Sequence, residues 1–213
     1  SGYPAFRSPS ALAGDLRELG FDLLLTANNH CLDRRYDGLV STLDQLDQAG
    51  LAHVGTARTA EESGAANIHV ADVGGISVAF LGYTYGTNGI PLPSGKEYAV
   101  NLFNTDYMTT LSTPDTQRLE ADLAAARALD TDLIAVMIHW GVEYQTTQNS
   151  YQEELADLLI ANGADLVLGG HSHVPQPIET RTVTAADGTQ RTGFVCYSLG
   201  NFISSQVDPL TDT

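Results

Sequence analysis

Leu133-Ile-Ala-Val-Met-Ile138 is an unbroken apolar run that ends on the polar block His139-Trp140-Gly141. A run this short, bounded by polar residues, reads as a strand covered on both faces. Pro114 to Leu129 precedes it with Leu119, Leu123 and Ala126 at helical spacing, so a helix feeds the strand. The unit recurs downstream, where a helix over Tyr151 to Asn162 leads to a strand over Asp165 to Leu168, which ends on Gly169-Gly170-His171-Ser172-His173. It recurs upstream as well. A helix from Ser10 to Leu19, stopped by Gly20, leads to Phe21-Asp-Leu-Leu-Leu-Thr26, a strand read as buried on both faces and closed by Asn28-Asn29. A second helix over Gly38 to Ala49 then leads to a short strand over Leu51 to Val54. Alternating helices and apolar strands predict an α/β fold with a largely parallel sheet covered by helices.

Two further segments read as hairpins. Asn67 to Asp72 and Ile76 to Leu81 flank Val73-Gly74-Gly75, and Ile178 to Val183 and Arg191 to Tyr197 flank Asp187-Gly188. A Gly-Gly pair supplies the positive backbone angles of a tight turn, and Asp-Gly is likewise a strong hairpin signal. Thr84 to Glu97 reads as a loop. With no Pro/Gly/Ser-rich linker and no internal repeat, residues 1–213 are expected to form a single domain. The chain carries 10 Lys and Arg against 26 Asp and Glu, a net charge of −16. That field repels phosphate backbones and argues against a nucleic-acid partner. Cys31 and Cys196 make neither a disulfide framework nor a CxxC motif.

Three polar clusters follow predicted strands: Asn28-Asn29-His30, His139-Trp140-Gly141 and Gly169-Gly170-His171-Ser172-His173. Strand ends of this kind form the ligand-binding edge of α/β sheets. Four of the six histidines are thereby expected on one rim, while His53 and His69 fall inside strand patterns. His171 and His173 suit a divalent transition ion, and equally a plain capping loop; His139 from another strand favours the ion. Asn29 serves either as a turn residue or as an oxygen ligand, and His30 beside it as a general acid. Arg7 is read as either a fork for a substrate carboxylate or phosphate or a surface ion pair. Glu143 and Tyr144 follow His139 and either bond substrate or cover the site edge. Asn201 is read as a rim residue or a turn residue, Trp140 as a pocket wall or core, and Cys31 beside His30 as a nucleophile or packing, the second of each pair being preferred.

In chain order, Asn29-His30, His139 and Gly170-His171-Ser172-His173 resemble the GNH, H and GHxH blocks of the calcineurin-like metallophosphoesterases, which hold two metal ions. More closely, Ala27-Asn-Asn-His-Cys-Leu-Asp33, His139-Trp-Gly-Val-Glu-Tyr144, Gly170-His-Ser-His-Val-Pro-Gln-Pro177 and Tyr197-Ser-Leu-Gly-Asn-Phe202 are similar to the CapA family, associated with bacterial poly-gamma-glutamate capsule synthesis. Phe6-Arg7-Ser8-Pro9 adds to the resemblance, which spans nearly the whole chain. It implies a metallophosphoesterase-like β-sandwich of mixed sheets flanked by helices. Asn29, His139 and His171 would bind one metal, His173 would contribute to another, and His30, oriented by Asp33, would be a non-ligand acid. Family members carry Gly-Asp and Asn-Leu-Glu strand ends upstream of the Phe-Arg-Ser-Pro block and further strands after the Tyr197 block, so this chain is expected to be a fragment lacking N- and C-terminal strands.

The function expected from the resemblance is a metal-dependent hydrolase, using manganese, iron or zinc and acting on phosphoester or amide bonds near poly-gamma-glutamate or another cell-envelope polymer during its biosynthesis. Two alternatives stand beside it: a non-catalytic component of a membrane-bound synthesis or export complex, and a nucleotide phosphodiesterase. The resemblance also implies an extracytoplasmic location, anchored by a membrane segment outside this chain. A polyanionic glutamate substrate sits awkwardly with a −16 domain unless metals and Arg7 offset the charge locally.

Overall fold

The computed structural model describes residues 2–204, 206 and 211. The chain falls into two compact units, one formed by the chain up to His69 with Leu81–Thr113, the other by Val70–Phe80 and the chain from Pro114 onward.

In the first unit, helix α1 (Ala11–Glu18) leads to strand β1 (Leu23–Leu25), and helix α2 (Arg35–Ala49) to strand β2 (Ala52–Val54). β1 and β2 pair in parallel, Leu23 opposite Ala52 and Leu25 opposite Val54. Helix α2 begins earlier than its apolar spacing suggests. Asp37 suits the positive end of its dipole, and the Tyr36 hydroxyl donates to Arg58 O. Its Leu39, Leu43 and Leu46 are buried with Leu32, Leu51, Val100 and Leu102. Each fully buried leucine contributes about 1.5–3 kcal/mol. The three leucines of β1 are only half-buried, not covered on both faces as expected. The physical reason is that β1 belongs to a two-stranded sheet with β2 as its one neighbour. Residues 85–98 hold no helix or strand, as expected of a loop.

The second unit is organised by a six-stranded mixed sheet. Strands β3 (His69–Val73), β4 (Ile76–Thr84), β5 (Leu133–His139), β6 (Leu166–Gly170), β7 (Ile178–Thr184) and β8 (Gln190–Cys196) lie in the order β3-β4-β5-β6-β8-β7. β5, β6 and β8 run parallel, and β7 closes the edge antiparallel to β8. Gly74 and Gly75 join β3 to β4 at φ 65° and 91°, the left-handed region that a two-residue turn requires. Helices α3 (Thr116–Arg127) and α4 (Ser150–Ala161) cover the sheet with the expected apolar faces, Leu119, Leu123 and Ala126 on the first, Leu155, Leu159 and Ile160 on the second. A reciprocal pair caps α4: Asn149 Oδ1 accepts from Gln152 N at 2.9 Å and Gln152 Oε1 from Asn149 N at 3.1 Å. The result is an α/β fold with mixed sheets flanked by helices.

Candidate functional site

The parallel register of β5 and β6 decides what the second unit can offer chemically. His139 lies opposite Gly170, and Trp140 N donates to Gly170 O at 3.1 Å. Residues leaving these strand ends are therefore neighbours, and the His139 and His171 rings stand 4.7 Å apart, tilted by 52°. His171 and His173 rings are 6.2 Å apart. The approach of β6 to its neighbours needs a residue without a side chain: a Cβ on Gly169 would lie 2.1 Å from Tyr197 O. Trp140 is core, as expected, with Nε1 donating to Tyr197 O at 2.8 Å.

His171 and His173 have φ of 106° and 64°, and Tyr144 has 63°. Each such non-glycine backbone costs about 1–3 kcal/mol and persists where its surroundings over-determine it, a pattern concentrated at functional sites. Tyr144 N donates to Ser172 O at 2.8 Å, tying the loop after β5 to the loop after β6. The Tyr144 ring stacks on His173 at 5.8 Å and 25°, and Glu143 Oε1 lies 3.8 Å from His173 Nε2. Asn201, read from the sequence as a turn residue, instead places Oδ1 2.9 Å from His173 Nδ1. Below these loops the buried Gln152 and Gln176 amides bond at 2.9 Å, and Gln176 Nε2 donates to Gln145 O and Thr147 O.

The first unit carries the other polar cluster. Asn28 Oδ1 accepts from His30 N at 2.9 Å, an Asx turn that sets the loop after β1. Asp33 Oδ2 lies 2.9 Å from His30 Nδ1 and accepts from Phe6 N at 2.7 Å, while the Phe6 ring meets the His30 ring edge-on at 4.6 Å. The Phe6 segment is held by Arg34, whose Nη2 donates to Ala5 O at 3.0 Å. Asn29 Nδ2 donates to Asn88 Oδ1 at 3.1 Å, and Asn88 Nδ2 lies 3.3 and 3.4 Å from the two His30 ring nitrogens. Sequence reading missed Asn88. Its one local signal is an Asn-Gly pair in the loop after β4, at φ 51°. Arg7 is exposed. Desolvation by burial pushes the Cys31 thiol up to about 12, which opposes the thiolate that a nucleophile requires.

The structure thus gathers His139, His171, His173, Glu143 and Tyr144 in one unit, and Asn29, His30 and Asp33 in the other. Imidazole nitrogens on adjoining strand ends fit a divalent transition ion in their donor chemistry. They supply part of a shell, since among the described residues no group of three or more His, Cys, Asp or Glu side chains is placed to hold a metal. Among the described residues no helix is long and apolar enough to cross a membrane.

The chain is 30% identical over 191 residues to the PGA biosynthesis protein CapA of Bacillus subtilis, covering 90% of this chain and 44% of that protein. It is 29% identical over 199 residues to the capsule biosynthesis protein CapA of Bacillus anthracis, covering 90% of this chain and 42% of the relative. It spans less than half the length of both. Among solved structures, the "Putative 5'-Nucleotidase from Staphylococcus aureus in complex with alpha-ketoglutarate" superposes over 94% of this chain and 42% of its own, with a TM-score of 0.51 and 15% identity, a likeness of fold. The model of the bacterial capsule synthesis protein family PGA_cap matches residues 1–206. The chain belongs to that family.

Proposed function

We propose that the chain is a metal-dependent hydrolase domain that cleaves phosphoester or amide bonds in the biosynthesis of poly-gamma-glutamate capsule or another cell-envelope polymer. The observation that carries this reading is the pairing of His139 and His171 rings at 4.7 Å on adjoining strand ends, beside histidines held at positive φ. His139 and His171 would hold one divalent ion, manganese, iron or zinc, and His173 would contribute to a second. In the first unit, Asn29 is proposed as an oxygen ligand. When bound, an ion supplies Lewis-acid polarisation of the scissile phosphoryl or carbonyl group.

The other roles fall to side chains of this chain. Asp33 fixes the His30 ring through Nδ1, which makes Nε2 the nitrogen that exchanges a proton with a leaving group. Glu143 and Tyr144 contact substrate, and the Arg7 fork pairs with a carboxylate or phosphate. The domain works outside the cytoplasm, beside a membrane-anchored synthetase complex. A second reading, a non-catalytic component of such a complex, is supported by the names of the two Bacillus relatives, which speak of biosynthesis and not of cleavage.

The test is metal content by mass spectrometry on protein purified without chelator, beside His139→Ala, His171→Ala and Asn29→Ala variants, followed by turnover of bis(p-nitrophenyl) phosphate and poly-gamma-glutamate. Bound metal lost in the variants, with chelator-sensitive turnover that His30→Ala abolishes, supports the hydrolase. Metal without turnover favours the accessory reading, and no metal at all overturns the first.

A further inference from the structure

Four side chains of the second unit, His173 among them, close a ring. His173 Nδ1 lies 2.9 Å from Asn201 Oδ1, and Asn201 Nδ2 donates to Gln206 Oε1 at 3.0 Å. Gln206 Nε2 donates to Tyr144 Oη at 3.0 Å. The Tyr144 ring completes the circuit by stacking on His173, centroids 5.8 Å apart and planes 25° apart. Three separate stretches of chain meet in it: the loop after β5, the loop after β6 and the segment after β8. Two of its members, Tyr144 and His173, have the positive φ described above.

The direction of the hydrogen bonds has a chemical consequence. An amide oxygen only accepts, so the nitrogen facing Asn201 Oδ1 carries the proton. A neutral imidazole has one such proton, which leaves Nε2 with the lone pair. Nε2 is also the nitrogen 3.8 Å from Glu143 Oε1, beyond hydrogen-bond length. Each amide in the ring uses its oxygen toward one neighbour and its nitrogen toward the next, so the sense of the whole circuit is set together. Reversing it would turn both amides, make Tyr144 the donor to Gln206, and place the His173 proton on Nε2.

We propose that Asn201, Gln206 and Tyr144 are positioning residues that hold His173 as the Nδ1–H tautomer, so that its Nε2 lone pair is presented to a divalent cation. The ligand role rests on the metal-binding reading above; the tautomer does not. Partners on the far nitrogen of a ligating histidine orient the ring and raise its basicity, and their loss weakens metal binding about 10- to 100-fold.

The test reads the tautomer without metal and the affinity with it. In 15N-labelled, metal-free protein, ring proton–nitrogen correlations of His173 are expected to show a protonated Nδ1 and a bare Nε2. Asn201→Leu should mix the tautomers, while Asn201→Asp, again an acceptor, should keep Nδ1–H. Gln206→Ala, outside any helix or strand, loosens the ring if Asn201→Leu does not fold. In zinc titrations by calorimetry, Asn201→Leu should bind about 10- to 100-fold more weakly than the parent and Asn201→Asp within a few-fold of it. A His173 proton on Nε2, a proton on both nitrogens, or a tautomer indifferent to Asn201→Leu and Gln206→Ala overturns the proposal. A tautomer that responds as expected in a protein that takes up no zinc overturns the ligand role and the metal reading, and leaves the positioning of the ring intact.

Discussion

Replacing Gly169 with alanine tests how closely the end of β6 is packed beneath the histidine loop. The new Cβ would stand 2.1 Å from Tyr197 O, 2.5 Å from Trp140 Nε1 and 2.7 Å from the Tyr197 carbonyl carbon, against an optimum of about 3.5–4.0 Å between carbons. Neither neighbour yields easily, because Trp140 and Tyr197 are 1% and 0% exposed and bond to each other at 2.8 Å. Overpacking costs about 1–3 kcal/mol. Parting a buried indole donor from its acceptor adds about 1–3 kcal/mol. The stiffer unfolded chain offsets at most about 1 kcal/mol. The net loss is about 3 kcal/mol, or roughly 6–12 °C in Tm for a chain of this length. Trp140 is the single tryptophan in the sequence, so its emission during urea unfolding reports on the site itself. Gly170→Ala is the control: a Cβ there meets nothing within 4 Å, and its stability should stay within about 0.5 kcal/mol of the parent. A Gly169→Ala protein as stable as the Gly170→Ala protein would refute the close-approach argument.

Leu43, fully buried on the inner face of α2, should lose about 3 kcal/mol on truncation to alanine, read by urea denaturation; a loss under ~1 kcal/mol would mean the first unit repacks freely. Desolvation raises the Asp106 carboxyl, but hydrogen bonds from Thr110, Ser112 and Thr113 outweigh it and hold it far below the usual carboxylate range. A depressed acid stabilises the fold above its ordinary value, and that stabilisation is lost only as pH falls through the lower folded one. The loop from Asp106 to Thr113 should therefore resist limited proteolysis down to about pH 4 in the parent, and be cut at neutral pH in Asp106→Ala; equal cutting of both proteins would sink the idea. Cys31, its thiol raised by burial to about 12, should react with iodoacetamide at least a hundredfold more slowly in the native protein than in urea, where an ordinary thiol near ~8.5 is restored. Equal rates would show the thiol to be exposed.

The helix–strand alternation was legible because β5 and β6 are apolar nearly throughout, and both hairpins because Gly74-Gly75 and Asp187-Gly188 can satisfy few other backbone paths. The histidines of β5 and β6 could be placed from the sequence as strand-end residues, since parallel pairing brings such ends side by side. The burial of β1 could not, because Leu23–Leu25 carries no mark of how many strands will flank it. Asn88 stayed hidden, and Asn201, a candidate for the rim as well as for a turn, could not be assigned to its histidine, for a related reason. Each meets its histidine across a long separation, 58 residues for His30 and 28 for His173, and an asparagine in a Gly-containing turn looks the same whether its amide faces water or an imidazole. Hydrogen-bond partners fixed by tertiary folding leave no periodicity to read.

Neither unit is a continuous stretch of chain, since Leu81–Thr113 of the first lies between the two parts of the second. During synthesis the β3–β4 hairpin emerges well before β5, the neighbour that flanks β4 in the finished sheet. About 50 residues, roughly 3–10 s of translation, separate the two. Through that interval the backbone N–H and C=O groups along one edge of β4 have no strand to pair with, so vectorial synthesis leaves one defined strand edge open to wrong pairing.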